Sequence, residues 1–595
     1  MPPPARALYV DAEPDAAFAF LHEPEPGGGR GPAVLICPPF GWDDIGTYRP
    51  RRDWAEHLAA RGHFVLRFDF PGGGDSEGGP RDPGRVHAWT QAVAAAAAEL
   101  RHLSGQPRVT VIGVGLGGMI ALRAAAEGAP VDDFVLWGVP ARGKGLLREL
   151  RAFSRLEEAE STAGEGEGLV PEGGLEAAGF LMSPETVADL QGVDLTELSL
   201  PRADERRVLM LTRDRIDADK RLVGRLSLEG AEVTVEAGPG YSLFMEEPQL
   251  ARPPREVFAA VDAWLAQDAG GAAPTPERPG EASEEIIFPT DSGLVRERPF
   301  SCLRGEHRLF GVLAEPVDGP ETDLCAVILN PGALRRIGSG RMWVDIARRW
   351  AARGVPTLRL DLAGIGDSDG DAERYADTGA LYVQELVPQV IEAMDELEAR
   401  GLPNRFLLMG LCSGAYWSFH AALRDPRVVA AYLLNVRALF WDRSLAAVRD
   451  ARKARWALEG SRWRRLLTGK VPLEAVLAVV KATLMAPFTL TRRALESRRQ
   501  RREIEEAFDQ LRDAHQRLLL VFGEDEPVID ELERDGYLRE LERWPNTEVR
   551  KLPGNSHTFR PLRAQRRVYE LLDEELEKEL EASARPRPTG TALAS

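Results

Sequence analysis

Cysteine is scarce in this chain: Cys37, Cys302, Cys325 and Cys412 are the only four among 595 residues. Four cysteines cannot staple a fold of this length, so the sequence predicts a reducing compartment, the cytoplasm, rather than a disulfide scaffold. Histidine is sparse as well, at nine, which leaves few candidates for imidazole chemistry. Long apolar runs are missing. The longest, 471–490, is broken by Glu474, Lys481 and Pro487; lipid penalises those charges, so no transmembrane segment is expected. The opening Met1-Pro-Pro-Pro-Ala-Arg soon turns acidic, without the apolar core of a secretory signal. Bases are outnumbered 75 to 93, for a net charge of −18. That balance argues against a general nucleic-acid binder. What is present is a globular composition, 44% apolar and 28% charged, at a length that calls for two or more domains.

The chain repeats itself. Ala33-Val-Leu-Ile-Cys-Pro-Pro is followed by Ala59-Ala-Arg-Gly-His-Phe-Val-Leu-Arg-Phe-Asp-Phe-Pro-Gly-Gly-Gly-Asp-Ser, and Ala326-Val-Ile-Leu-Asn-Pro-Gly by Ala351-Ala-Arg-Gly-Val-Pro-Thr-Leu-Arg-Leu-Asp-Leu-Ala-Gly-Ile-Gly-Asp-Ser. Ala33 matches Ala326 and Asp69 matches Asp361, offsets of 293 and 292. So long a period marks a duplicated domain, not a solenoid. The expected organisation is a first domain over 1–265, a linker over 266–285 rich in Ala, Gly, Pro and Glu, a second domain over 286–580, and a disordered tail over 581–595. In each copy, short apolar runs alternate with helical stretches, the pattern of a parallel sheet covered by helices. In the second copy strands are expected at 326–329, 357–361, 406–409, 430–434, 518–522 and 548–552. The Asp-x-x-Gly-x-Gly-Asp-Ser turn needs glycine to turn sharply beside the sheet, an architectural role.

Chemistry concentrates after the third of these strands. Gly410-Leu-Cys412-Ser413-Gly414 follows an apolar run and precedes a helical stretch, the Gly-x-nucleophile-x-Gly elbow that lifts one side chain above a sheet edge. The plain alternative is a small buried cysteine in a glycine-rich turn. The later sequence favours the elbow. Asp525 stands after the strand ending at Phe522, with Glu524 and Glu526 as rival acids. His557 falls in the loop after the last strand, whereas His420 lies in the elbow helix and His515 before a strand. Nucleophile, acid and histidine thus occur in the order this chemistry uses. His557 is expected to take the Cys412 proton, and Asp525 to fix the imidazole tautomer. The oxyanion donors are expected to be the Ser413 N–H at the helix start and the Ala333 N–H, with Gly332 as rival and Pro331 excluded for lack of an N–H.

The first copy lacks these parts. Its elbow reads Gly113-Val-Gly115-Leu-Gly117, and no histidine lies between Gly115 and His307. Near the expected histidine loop stand Tyr241 and Ser242, which cannot serve as bases at neutral pH. Asp214 occupies the acid position without partners. This copy reads as a pseudo-hydrolase that docks or stabilises.

An insertion at 435–515 is expected to form a helical lid. Between 443 and 502 it carries 16 Arg and Lys against 4 Asp and Glu, with Arg462, Arg464 and Arg465 interleaved among apolar side chains. The plain alternative is a solvated cap paired with acids elsewhere. As a binding surface it suits an acidic carrier protein, coenzyme A phosphates or an anionic membrane surface, with an apolar acyl pocket beneath.

At these residues the second copy resembles the α/β-hydrolases with a cysteine elbow. Gly410-Leu-Cys-Ser-Gly-Ala-Tyr, the Asn330-Pro-Gly loop and the Asp361-Leu-Ala-Gly-Ile-Gly-Asp-Ser turn are similar to the hydrolases found with exosortase and exopolysaccharide systems. The first copy resembles their companion hydrolase group, which also tends to lack serine at the elbow, through Pro38-Pro39-Phe40 and Gly179-Phe-Leu-Met-Ser. Dienelactone hydrolase shares the Cys-Asp-His logic, and the cysteine aminoacyltransferases of nonribosomal peptide assembly share the fold and nucleophile. The resemblance implies two tandem α/β-hydrolase-fold domains and no cofactor or metal. It implies an acyl hydrolase on esters or thioesters, or else an acyl- or aminoacyltransferase between carrier-protein or coenzyme A thiols. A non-catalytic scaffold is the third reading, and the intact Cys412, Asp525, His557 order argues against it.

Overall fold

The computed structural model describes residues 3–29, 31–160, 169–268, 283–305, 307–441, 486–524, 526–534, 536–554 and 556–584. Arg462, Arg464 and Arg465 lie outside the described residues, and so does Asp525.

Each copy is built on its own sheet. The first contributes β1 (Arg6–Val10), β2 (Ala17–His22), β3 (Ala33–Cys37), β4 (Val65–Phe68), β5 (Val109–Val114), β6 (Asp133–Trp137), a hairpin of β7 (Leu175–Ala177) and β8 (Phe180–Met182), then β9 (Arg207–Leu211) and β10 (Glu232–Glu236). The second contributes β11 (Ile286–Thr290), β12 (Gly293–Arg304), β13 (His307–Pro316), β14 (Leu324–Leu329), β15 (Thr357–Asp361), β16 (Arg405–Leu411), β17 (Val428–Leu434), β18 (Arg517–Phe522) and β19 (Thr547–Lys551). The sheet orders are β1-β2-β4-β3-β5-β6-β9-β10 and β11-β12-β13-β15-β14-β16-β17-β18-β19. All six strands expected in the second copy are present. Three antiparallel strands, β11 to β13, precede them and were not expected. Central strands such as β16 read as unbroken apolar runs because helices cover both faces.

Two segment boundaries differ from expectation. Ser283, inside the expected linker, bridges to Tyr9 on β1. The last helix, Leu562–Ala584, runs past the expected tail boundary because its apolar face (Val568, Leu572, Leu576) is buried against the second sheet. Of the expected lid, residues 435–441 and 486–515 are described, and its helix Ala486–Asp513 is anchored by a stripe of Ile504, Ala507, Phe508 and Leu511.

The two copies meet through their Asp-Ser turns, in a pseudo-two-fold arrangement. Arg67 on β4 pairs with Asp367 of the other copy's turn, and its repeat equivalent Arg359 on β15 pairs with Asp75. Arg52 donates to the carbonyls of Gly366 and Ser368, while Arg341 donates to those of Gly74 and Ser76. Arg336 breaks the symmetry: fully buried, it reaches Asp75 at 2.7 Å, Asp361 at 2.8 Å and Asp367 at 2.7 Å. Phe20 and Phe310 pack edge to face across the junction, 5.0 Å between ring centroids. The turn therefore does more than direct its own chain: its second aspartate belongs to the contact between copies.

Candidate active site

The elbow concentrates a change of direction in one residue. β16 ends at Leu411 and the helix Ser413–Ala422 begins two residues later, leaving Cys412 at φ 60° and ψ −111°. Such a conformation costs a side-chain-bearing residue about 1–3 kcal/mol. Its glycines are required sterically. A Cβ on Gly410 would stand 2.2 Å from the Gly414 carbonyl carbon, and one on Gly414 would stand 2.7 Å from the carbonyl oxygens of Leu329 and Asn330.

Of the four free cysteines, three are buried and Cys412 is only partly so. Burial pushes the thiols of Cys37 and Cys325 far up and that of Cys302 to about 12. Burial also raises Cys412, but His557, the Tyr382 hydroxyl and Arg437 outweigh it, and the thiol is lowered. His557 is the reciprocal case. Burial alone would lower it; the Cys412 sulfur and the Glu526 carboxylate raise it to about 9. Each partner favours the charged form of the other.

His557 Nδ1 lies 2.7 Å from Glu526 Oε1. Glu526 is buried directly ahead of the helix Pro527–Arg534. The acid that meets the imidazole is thus the residue after Asp525, which itself lies outside the described residues. His557 Nε2 is buried with no hydrogen bond of full geometry; the neighbour acting on it is the Cys412 sulfur. Asn435, at the end of β17 with φ 40°, fixes both loops. Its amide nitrogen donates to the His557 carbonyl at 2.8 Å, and its amide oxygen accepts from Gly523 N–H at 2.8 Å.

Around the sulfur, the Tyr382 hydroxyl stands 3.1 Å from Sγ, and its ring stacks on Trp441 at 4.1 Å and 7°. Burial, then the Cys412 charge, raise the Tyr382 phenol well above its usual value, so it stays protonated and can donate. Gly332 N–H is already engaged by Ser413 Oγ at 2.9 Å. Ser413 N–H opens a helix and has no intrahelical acceptor, and among the described residues Ala333 N–H makes no hydrogen bond. Tyr382 and Asn435 escaped the sequence reading. Tyr382 sits in irregular turns with no motif, and Asn435 is an ordinary strand end until its two loops are seen together.

The first copy keeps the frame without the elbow cysteine or the loop histidine. Gly115 has φ 52° and ψ −117°, the backbone of Cys412 without a side chain. Asp214 accepts from Gly240 N–H at 2.6 Å, Ser242 N–H at 2.9 Å and Ser242 Oγ at 2.6 Å. The carboxylate still ties down the loop where the second copy has its histidine.

Residues 32–154 match the family model described as "alpha/beta hydrolase fold", and residues 327–571 match "Alpha/beta hydrolase family". Two such matches in one chain define its class by fold: the chain carries two α/β-hydrolase-fold domains in tandem. Curated relatives are uncharacterized proteins of Mycobacterium tuberculosis, strains H37Rv and CDC 1551, each 30% identical over 133 residues, or 22% of this chain and 43% of theirs. The chain spans less than half the length of those relatives. Among solved structures, Est1E from Butyrivibrio proteoclasticus with bound ferulic acid is similar at 18% identity, covering 44% of this chain and 100% of that one (TM-score 0.33). A dienelactone hydrolase from Anabaena variabilis is similar at 16% identity, covering 48% and 98% (TM-score 0.30).

Proposed function

We propose that the second copy is an acyl hydrolase for esters or thioesters, with Cys412 as nucleophile, His557 as base and Glu526 as the acid that orients it. The observation that carries this reading is an elbow strained to present the Cys412 sulfur, with His557 held by Glu526 at 2.7 Å; the directions in which the two groups shift, Cys412 down and His557 up, agree with it. His557 Nε2 takes the Sγ proton, and Nδ1–H donates to Glu526. The thiolate attacks the acyl carbon, and Ser413 N–H and Ala333 N–H receive the oxyanion. Collapse expels the alcohol or thiol, which leaves with the proton from His557. Water then attacks the Cys412 thioester with His557 as base, releasing acid and free thiol. Tyr382 donates to the thiolate before it attacks and again as sulfur leaves when the thioester is hydrolysed.

A cysteine at the elbow also favours a second reading, transfer. Exchange of an acyl group between Cys412 and an acceptor thiol, of a carrier protein or coenzyme A, conserves one thioester and is near energy-neutral. Product analysis separates the two. Wild type and Cys412→Ala are incubated with acyl-thioester and acyl-ester substrates, with and without a pantetheine thiol. Steady release of free acid supports hydrolysis; an adduct that persists until the thiol arrives supports transfer. No turnover and no adduct on a broad panel, with Cys412 inert to iodoacetamide, overturns both.

A further inference from the structure

The loop that offers Ala333 N–H to the oxyanion is held from both copies. Its near side is fixed from within the second copy: Ser413 Oγ accepts from Gly332 N–H at 2.9 Å, and Asn330 Nδ2 donates to the Leu334 carbonyl at 2.9 Å. Its far side is fixed by the first copy. Leu334 and Ile337 pack in one cluster with Ile45 of the helix Trp42–Ala60. Arg335 is buried, and its polar partners all belong to the first copy. Nη1 and Nη2 fork onto the two oxygens of Asp69 at 2.8 and 3.0 Å, and Nη2 also reaches Asp44 at 3.0 Å. The guanidinium lies 3.8 Å from the centroid of the Tyr48 ring.

The repeat makes this arrangement informative. Asp69 and Asp361 are equivalent residues, and both carboxylates serve the same loop. Asp361 accepts from Asn330 Nδ2 at 3.0 Å and from Arg336 N–H at 2.6 Å. Asp69 takes Arg335 between them and makes no hydrogen bond to the corresponding loop of its own copy. A forked guanidinium–carboxylate pair fixes direction as well as distance. Arg335 stands two residues after Ala333, so a shift of the fork moves the peptide that carries the donor. Such a donor has to be held within about 0.5 Å of its productive position. We propose that the first copy positions the oxyanion hole of the second: Asp69, with Asp44 beside it, holds Arg335 and thereby aims Ala333 N–H. This rests on the acyl chemistry proposed for Cys412, and it makes Asp69 and Arg335 positioning residues for that chemistry.

Asp69→Asn in the full chain tests this, since it keeps the shape and removes the charge. Two reactions of Cys412 are compared. Acylation by octanoyl-N-acetylcysteamine builds an oxyanion; alkylation by iodoacetamide displaces iodide at a saturated carbon and builds none. The expected result is acylation slowed about ten- to a hundredfold, short of the loss on deleting an oxyanion donor, with alkylation changed by less than about twofold. Asp44→Asn, at the 3.0 Å contact, should slow acylation about two- to fivefold. Amide exchange over 330–341 should quicken in both variants, while that over the elbow helix 413–422 stays as in wild type. Unchanged acylation, a parallel loss of acylation and alkylation, or unchanged exchange over 330–341 overturns the proposal. Should Asp69→Asn fail to fold, Asp44→Asn decides on the same readouts. A wild type that is alkylated but never acylated sinks the hydrolase reading instead. Exchange over 330–341 then decides the clamp by itself: quickened exchange upholds it and unchanged exchange overturns it.

Discussion

Cys412 and His557 are ordinary residues made unusual by each other. The imidazolium lowers the thiol, and the thiolate, with Glu526, raises the ring to about 9. The sign of this coupling fixes two expectations. Iodoacetamide alkylation of Cys412 should rise with pH through an apparent pKa below the usual thiol value of about 8.5. In His557→Ala that midpoint should move up, because burial then acts unopposed by the positive ring; an unmoved midpoint contradicts the pairing. Tyr382→Phe keeps the stack on Trp441 and removes only the 3.1 Å contact to sulfur. Hydrogen bonds to charged groups are worth enough that alkylation at pH 7 should fall about three- to tenfold. An unchanged rate would show that the hydroxyl accepts from the thiol and gives the thiolate nothing.

At the scale of elements, the elbow stores strain that the first copy has discarded. Gly115 and Cys412 share one backbone conformation, but only cysteine carries a Cβ in it. Cys412→Gly should therefore be more stable than Cys412→Ala, by about 1 kcal/mol, read as a higher urea midpoint. Equal midpoints would mean the elbow is unstrained. The central parallel strands β14, β16, β17 and β18 were legible because burial on both faces leaves them nearly pure apolar runs. β12 was not legible. It reads Arg296-Glu297-Arg298 at its middle, and Glu297 is buried only because Arg348 and Arg359, far away in sequence, neutralise it. The sequence placed the acid at Asp525, with Glu524 and Glu526 as rivals, because its position after a strand does not separate three adjacent carboxylates. The geometry at Pro527, where the next helix begins, brings Glu526 to the ring.

For the whole molecule, duplication has become mutual dependence. Each copy's arginine answers the other's turn aspartate, so the repeated Asp-x-x-Gly-x-Gly-Asp-Ser turn is also the seam. Asp75 and Asp367 are raised by burial, but the arginines outweigh it and lower them, Asp75 to about 2 and Asp367 well below its usual value. Such depressed carboxylates contribute stability that is full above their unfolded value near about 4 and is lost as pH falls through the folded values. Arg336→Met strands buried carboxylates on both sides of the seam. It should cost about 3–5 kcal/mol at pH 7, and the gap from wild type should narrow below about pH 4 as those carboxylates take up protons. A gap independent of pH would assign the loss to packing instead.

The central claim is that acyl chemistry belongs to the second copy alone, at Cys412. Intact mass of the full chain after brief exposure to an acyl-thioester probe, followed by peptide mapping, tests it most directly. The account predicts one acyl group per chain, on Cys412, absent in Cys412→Ala and unaffected by Asp214→Ala in the first copy. Acylation that survives Cys412→Ala, or that maps to the first copy, would contradict it.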